Sequence, residues 1–107
     1  MNILLEDAPR YYMRILTYLA DRPPVPEGIT DLNIMQHYTA HGFSELLEIP
    51  IAATYRSINW MEAGGLITPL PQKLRITPRP TRAYRLTEYG RKYAEALRIF
   101  KQTVESL

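Results

Sequence analysis

Residues 54–67, TYRSINWMEAGGLI, run through a segment studded with proline and arginine into residues 83–97, AYRLTEYGRKYAEAL. The first stretch has the apolar spacing of a helix and stops at Gly64-Gly65, with Leu66 and Ile67 opening a strand. The second begins as a strand, with Tyr84 and Leu86 on one face, and turns helical at Thr87, a natural N-cap. Between them, residues 68–80 hold four prolines, Pro69, Pro71, Pro78 and Pro80. Proline removes ladder donors, so this segment is a stiff, irregular loop and not a regular hairpin interior. The order that results is helix, turn, two-stranded basic hairpin, helix.

Upstream, Asp7 is positioned to cap a helix from about Ala8 to Asp21, with Pro9 tolerated in its first turn. Tyr12, Ile15, Leu16 and Leu19 fall at i, i+3, i+4, i+7, one apolar stripe. Three prolines in residues 23–26 end it. Gly28 to Thr30 then offers a short edge strand with Thr30 as a cap. A second helix is expected from Asp31 to about His41, burying Leu32, Met35 and Tyr38, with Gly42 at its C-terminal end. FSELLEI (43–49) reads equally as a short extra helix or an ordered loop. Pro50 suits the first turn of a third helix whose inner face would carry Ile51, Tyr55, Ile58 and Met61. A fourth helix, about residues 88–106, places Tyr89, Tyr93, Leu97, Phe100 and Val104 at helical spacing.

The chain has 107 residues, 46% hydrophobic and 22% charged, with no cysteine. That is one domain's worth of sequence, 1–107, and it excludes disulfides, thiolate metal sites and thiol nucleophiles. No apolar run approaches the ~20 residues of a membrane span, and MNILLEDAP lacks the basic start and cleavage site of a signal peptide. A cytoplasmic protein without membrane contact is expected. The net charge of +2 is unevenly spread. Residues 1–55 carry three basic and seven acidic side chains, −4, whereas residues 56–107 carry ten and four, +6. A basic half attracts polyanions.

Together these elements make a mainly α fold with a small β-hairpin: a winged helix-turn-helix with a long C-terminal helix. The strand and helix start Tyr84-Arg85-Leu86-Thr87-Glu88-x-Gly90-Arg91 resembles the one that closes the wing in the PadR family of transcriptional regulators. The run from Tyr55-Arg56 through Ile58 to Met61-Glu62-x-x-Gly65-Leu66-Ile67 resembles the recognition helix and following turn common to bacterial and archaeal winged-helix regulators. The Thr54-Tyr55 pair ahead of Ile58 and Met61 resembles the recognition helix of the PadR family. The likeness covers about residues 51–97. It implies double-stranded DNA binding and transcriptional repression, in some members relieved by a small ligand. The wing here is longer and richer in proline than the resemblance implies.

The candidate DNA-binding residues follow from chemistry. Ala52, Ala53, Arg56, Asn59 and Trp60 are expected on or near the outer face of the third helix. Arginine presents a fork matching guanine, asparagine matches adenine, and alanine allows close approach to a groove or a thymine methyl. Thr54 is a candidate to bind a phosphate or to complete the helix start, while Trp60 is expected to pack under the wing rather than contact a base. Lys73, Arg75, Arg79, Arg82 and Arg85 supply five basic residues in thirteen, with no acid between Glu62 and Glu88. Such a wing neutralises phosphates and can enter a narrow minor groove.

The apolar stripe of the fourth helix can serve the domain core, a second subunit or both. A homodimer built on Tyr93, Leu97, Phe100 and Val104, with Leu4 packed against them, suits two-fold DNA half-sites. His37 and His41 have an i, i+4 spacing, but no third histidine or cysteine completes a zinc site. No catalytic constellation or glycine-rich phosphate loop is present, so neither an enzyme nor a cofactor is expected. The remaining readings are a winged helix used to bind protein, and DNA binding in replication or phage and plasmid maintenance. An effector, if any, is not legible in the residues.

Overall fold

The apolar stripe of the first helix is what the rest of the chain packs around. In a computed structural model that describes residues 8–23, 32–70 and 82–107, α1 spans Tyr12–Ala20 and buries Tyr12, Ile15, Leu16 and Leu19. It starts four residues later than expected, after a turn in which the Tyr12 N–H donates to the Pro9 carbonyl at 3.4 Å. The proposed cap Asp7, the edge strand at Gly28 to Thr30 and the helix start at Asp31 lie outside the described residues.

The second helix is where expectation and structure part most clearly. Instead of one helix to His41, α2 (Leu32–Met35) tightens into a 3-10 turn (Gln36–Tyr38), and the chain extends at Thr39 with φ −109° and ψ 159°. A separate helix, α3 (Ala40–Leu47), then begins. Thr39 causes the break. Its hydroxyl accepts the Gly42 N–H at 3.1 Å as an N-cap, and its backbone forms an antiparallel bridge with Ala83. Gly42, expected at a helix end, therefore sits in a first turn. FSELLEI is helical through Leu47, and Phe43 is fully buried.

The turn after α3 is tight. Glu48 takes the left-handed conformation (φ 54°), and the Ile49 N–H donates to the Ser44 carbonyl at 3.0 Å. Arg14, from α1, donates to the Leu47 carbonyl at 2.6 Å, placing a cation at the negative end of α3. Helix α4 (Ile51–Ala63) follows Pro50, so α3, this turn and α4 form the helix-turn-helix.

At its far end α4 stops in a Schellman arrangement. Gly65, with φ 77°, lets its own N–H reach the Glu62 carbonyl (3.0 Å) and the Leu66 N–H reach the Met61 carbonyl (2.9 Å). The buried side chains of Met61 and Leu66 complete the motif. Strand β1 (Ile67–Pro69) pairs antiparallel with β2 (Tyr84–Leu86), Thr68 opposite Arg85. Helix α5 (Glu88–Glu105) closes the described chain. Mainly helical, with one small hairpin and a long last helix, this is a winged helix-turn-helix. Among the described residues no helix is long and apolar enough to cross a membrane.

Thr87 joins the hairpin to α5. Its hydroxyl accepts the Gly90 N–H at 2.9 Å and donates to the Gly65 carbonyl at 2.5 Å, while its N–H donates to the Leu66 carbonyl at 3.1 Å. Thr87→Ala should cost about 1–2 kcal/mol of stability in urea denaturation, and Thr87→Ser should recover most of it. Equal loss in both variants would mean that the methyl group, not the hydroxyl, matters.

Candidate nucleic-acid interface

Helix α4 presents to solvent a stripe of Ile51, Ala52, Tyr55, Arg56, Asn59 and Ala63. Its opposite face buries Ala53, Thr54, Ser57, Ile58 and Met61. Two expected contacts are thereby corrected. Thr54 is fully buried, its hydroxyl donating to the Pro50 carbonyl at 3.1 Å, and Ala53 is 8% exposed. Neither side chain is placed to touch a ligand outside the fold. Ile51 and Tyr55, expected inside, are 38% and 43% exposed. Ala53, Thr54 and Ser57 keep part of the inner face small where α4 packs against α3 and α1, while Ile58 and Met61 fill the core. The Ser57 hydroxyl, bonded to the Ala53 carbonyl at 3.0 Å, needs no outside partner there.

The structure does bring Arg56 and Asn59 onto one exposed face, as expected. Beside them Tyr55 and His41 meet edge to face at 6.1 Å, the phenol oxygen 3.4 Å from Nε2 of the imidazole. Sequence reasoning missed this pair. Its signal was Tyr55 lying one turn from both Ile51 and Asn59, masked by the habit of assigning tyrosine to a core. Trp60 is half-buried against Tyr12 of α1, ring centroids 4.7 Å apart.

On the hairpin, Arg82 and Arg85 are exposed. Lys73, Arg75 and Arg79 lie outside the described residues. The ion pairs found among the described residues join Lys92 to Glu88, Arg98 to Asp21 and Arg98 to Glu95, so Arg56, Arg82 and Arg85 are left without a carboxylate. Behind the strand, burial and the Glu62 carboxylate raise the Tyr84 phenol above its usual range, against the opposing pull of Arg82. The phenol therefore stays neutral.

The residues expected at a subunit interface divide. Tyr93 is turned inward: its hydroxyl lies 2.9 Å from that of Tyr12, and this pairing and burial push the Tyr12 phenol well above its usual range. Leu97 also packs against the core. Phe100 and Val104 are 69% and 49% exposed, and Ile99 and Leu107 nearby are exposed as well. Tyr89, the first residue of the apolar stripe, is exposed, and α5 buries Gly90 and Ala94. Leu4 lies outside the described residues. His37 and His41 fall on different elements, the 3-10 turn and α3, and each meets a tyrosine; His37 Nδ1 shares a 2.5 Å hydrogen bond with Tyr18. Burial and Arg22 hold the His37 imidazole below its usual pKa, favouring the neutral ring.

No family model and no curated protein matches the chain. Among solved structures, the adhesin competence repressor of Streptococcus pyogenes is similar, with a TM-score of 0.56 and 16% sequence identity. The likeness covers 94% of this chain and 67% of the repressor. At that identity what the two share is the fold, and the chain is a winged helix-turn-helix protein.

Proposed function

We propose that this chain is a sequence-specific double-stranded DNA-binding transcriptional regulator, a repressor that acts by occupying a promoter. The observation that carries the reading is the outer face of α4, where Arg56 and Asn59 stand exposed one turn apart. Arg56 has no carboxylate partner among the described residues. In this reading α4 enters the major groove, Arg56 matched to guanine and Asn59 to adenine. Tyr55 and His41 border that face, and Arg82 and Arg85 lead the wing onto flanking phosphates. A solved winged-helix neighbour that is itself named a repressor supports regulation over catalysis. Residues 1–107 act as one cytoplasmic domain, PadR-like in the motifs around Tyr55 and Tyr84. Two copies join through the apolar end of α5 at Ile99, Phe100 and Val104, so that the complex reads two half-sites.

Selection of bound duplexes from a random pool, followed by titration of the selected site, tests this. Arg56→Ala and Asn59→Ala should each cost about 1–3 kcal/mol and relax base preference at one position. Arg82→Ala or Arg85→Ala should weaken every duplex alike and reduce the salt slope by about 1. A protein that binds no duplex in a salt-dependent way would sink the proposal.

A further inference from the structure

Away from α3 and α4 the structure holds a cleft of about 480 Å³. It lies between the end of α1, the 3-10 turn, the hairpin and the first turn of α5, and that volume is the size of a small-molecule site. Leu19, Pro23 and Leu86 are among its apolar lining residues, and Arg22, Arg85 and Arg91 are the basic ones.

Among the described residues one nearby carboxylate is tied to a partner and a second stands at the cleft in an exposed ion pair. Asp21 pairs with Arg98 at 2.8 Å, and Glu88, at the cleft itself, faces Lys92 at 3.6 Å. Arg22 stacks over Tyr18, its guanidinium carbon 5.6 Å from the ring centroid, yet its Nε is buried with no hydrogen-bond partner. A buried donor of a charged group left unpaired is costly, and a cationic side chain at the rim of the cleft favours an anion inside it. The positive end of the α5 dipole, at Thr87, adds to the same field.

We infer that this cleft binds a small organic polyanion, a phosphate ester or a di- or tricarboxylate. Arg22, Arg85 and Arg91 grip its acidic oxygens, and its carbon body lies along Leu19, Pro23 and Leu86. Arginine suits this chemistry because its planar fork matches both carboxylate and phosphate. Among the described residues none of α3 or α4 lines the cleft, so the ligand sits apart from the face proposed to read bases, although it shares Arg85 with the wing and would compete there for a DNA phosphate.

Isothermal titration of the full chain at fixed ionic strength, with inorganic pyrophosphate in one arm and citrate in the other, tests the inference. One site per chain is expected for at least one probe, weakened about tenfold or more by Arg22→Gln and by Arg91→Gln and unchanged by Arg56→Ala. The stronger arm identifies phosphate or carboxylate chemistry. Arg91 is exposed, so its variant carries the test even where Arg22→Gln fails to fold. No heat with either probe, or equal binding by Arg91→Gln and the parent chain, would overturn the site. Duplex DNA is absent from the measurement, so its failure leaves the proposed function standing.

Discussion

Gly42→Ala is expected to lower the stability of this chain by about 3 kcal/mol or more, a fall in Tm of about 12 °C or more. A Cβ at position 42 would lie 1.4 Å from the Gln36 carbonyl oxygen and 2.5 Å from its carbonyl carbon. Both are backbone atoms, so no side chain can swing away. The 3-10 turn would have to separate from α3. That would pull Thr39 from its cap on Gly42 and from its bridge to Ala83. At an open helical position the same substitution would stabilise by up to about 1 kcal/mol, so the sign alone decides. Thermal unfolding followed by circular dichroism reads it, and a more stable variant would refute the close approach.

Gly90→Ala should act at the other joint with a similar size, about 3 kcal/mol. Its Cβ would stand 1.8 Å from the Leu66 carbonyl oxygen, the group that accepts the Thr87 N–H. The damage should be local in a telling way. Amides at the start of α5 should lose hydrogen-exchange protection more than those of α4, because the α4 end is closed by its own bonds to Met61 and Glu62. Uniform loss along the chain would mean that α5 is not a separately docked element.

The architecture was legible wherever a cap or a glycine signal coincided with apolar spacing. Thr87, Gly64-Gly65 and the stripe of α1 each fell where expected, because local chemistry and tertiary packing agree there. The 31–41 segment failed for a physical reason. Thr39 was read as one more helical residue, but a threonine hydroxyl also serves as a cap, and the long-range bridge to Ala83 decided between the two. The inner face of α4 was misassigned because size stood in for burial. Contact with α3 and α1 favours Ala53, Thr54 and Ser57 over Ile51 and Tyr55, and no window of one helix contains that information. Of the proposed reading face, Arg56 and Asn59 were legible from chemistry, and Tyr55 and His41 were not. The arginines of the cleft were hidden for a further reason. Arg22, Arg85 and Arg91 are scattered over 70 positions of sequence and converge only when α1, β2 and α5 meet.

The joint at Thr87 has a mechanical consequence. The hydroxyl and N–H of one residue tie the start of α5 to Gly65, Leu66 and Gly90, and the missing Cβ at Gly90 lets the backbones touch, which leaves the joint without a hinge. An 18-residue helix is a lever about 27 Å long. A tilt of about 10° at its base would displace its tip by about 5 Å. In a dimer joined through that tip, the distance between the two copies of α4 is set by the stiffness of this lever. Inserting one base pair between half-sites moves them by about 3.4 Å and turns them about the duplex axis, a misfit the lever cannot bend to absorb. In the proposed dimer, the spacing between half-sites would be enforced as strictly as their sequence.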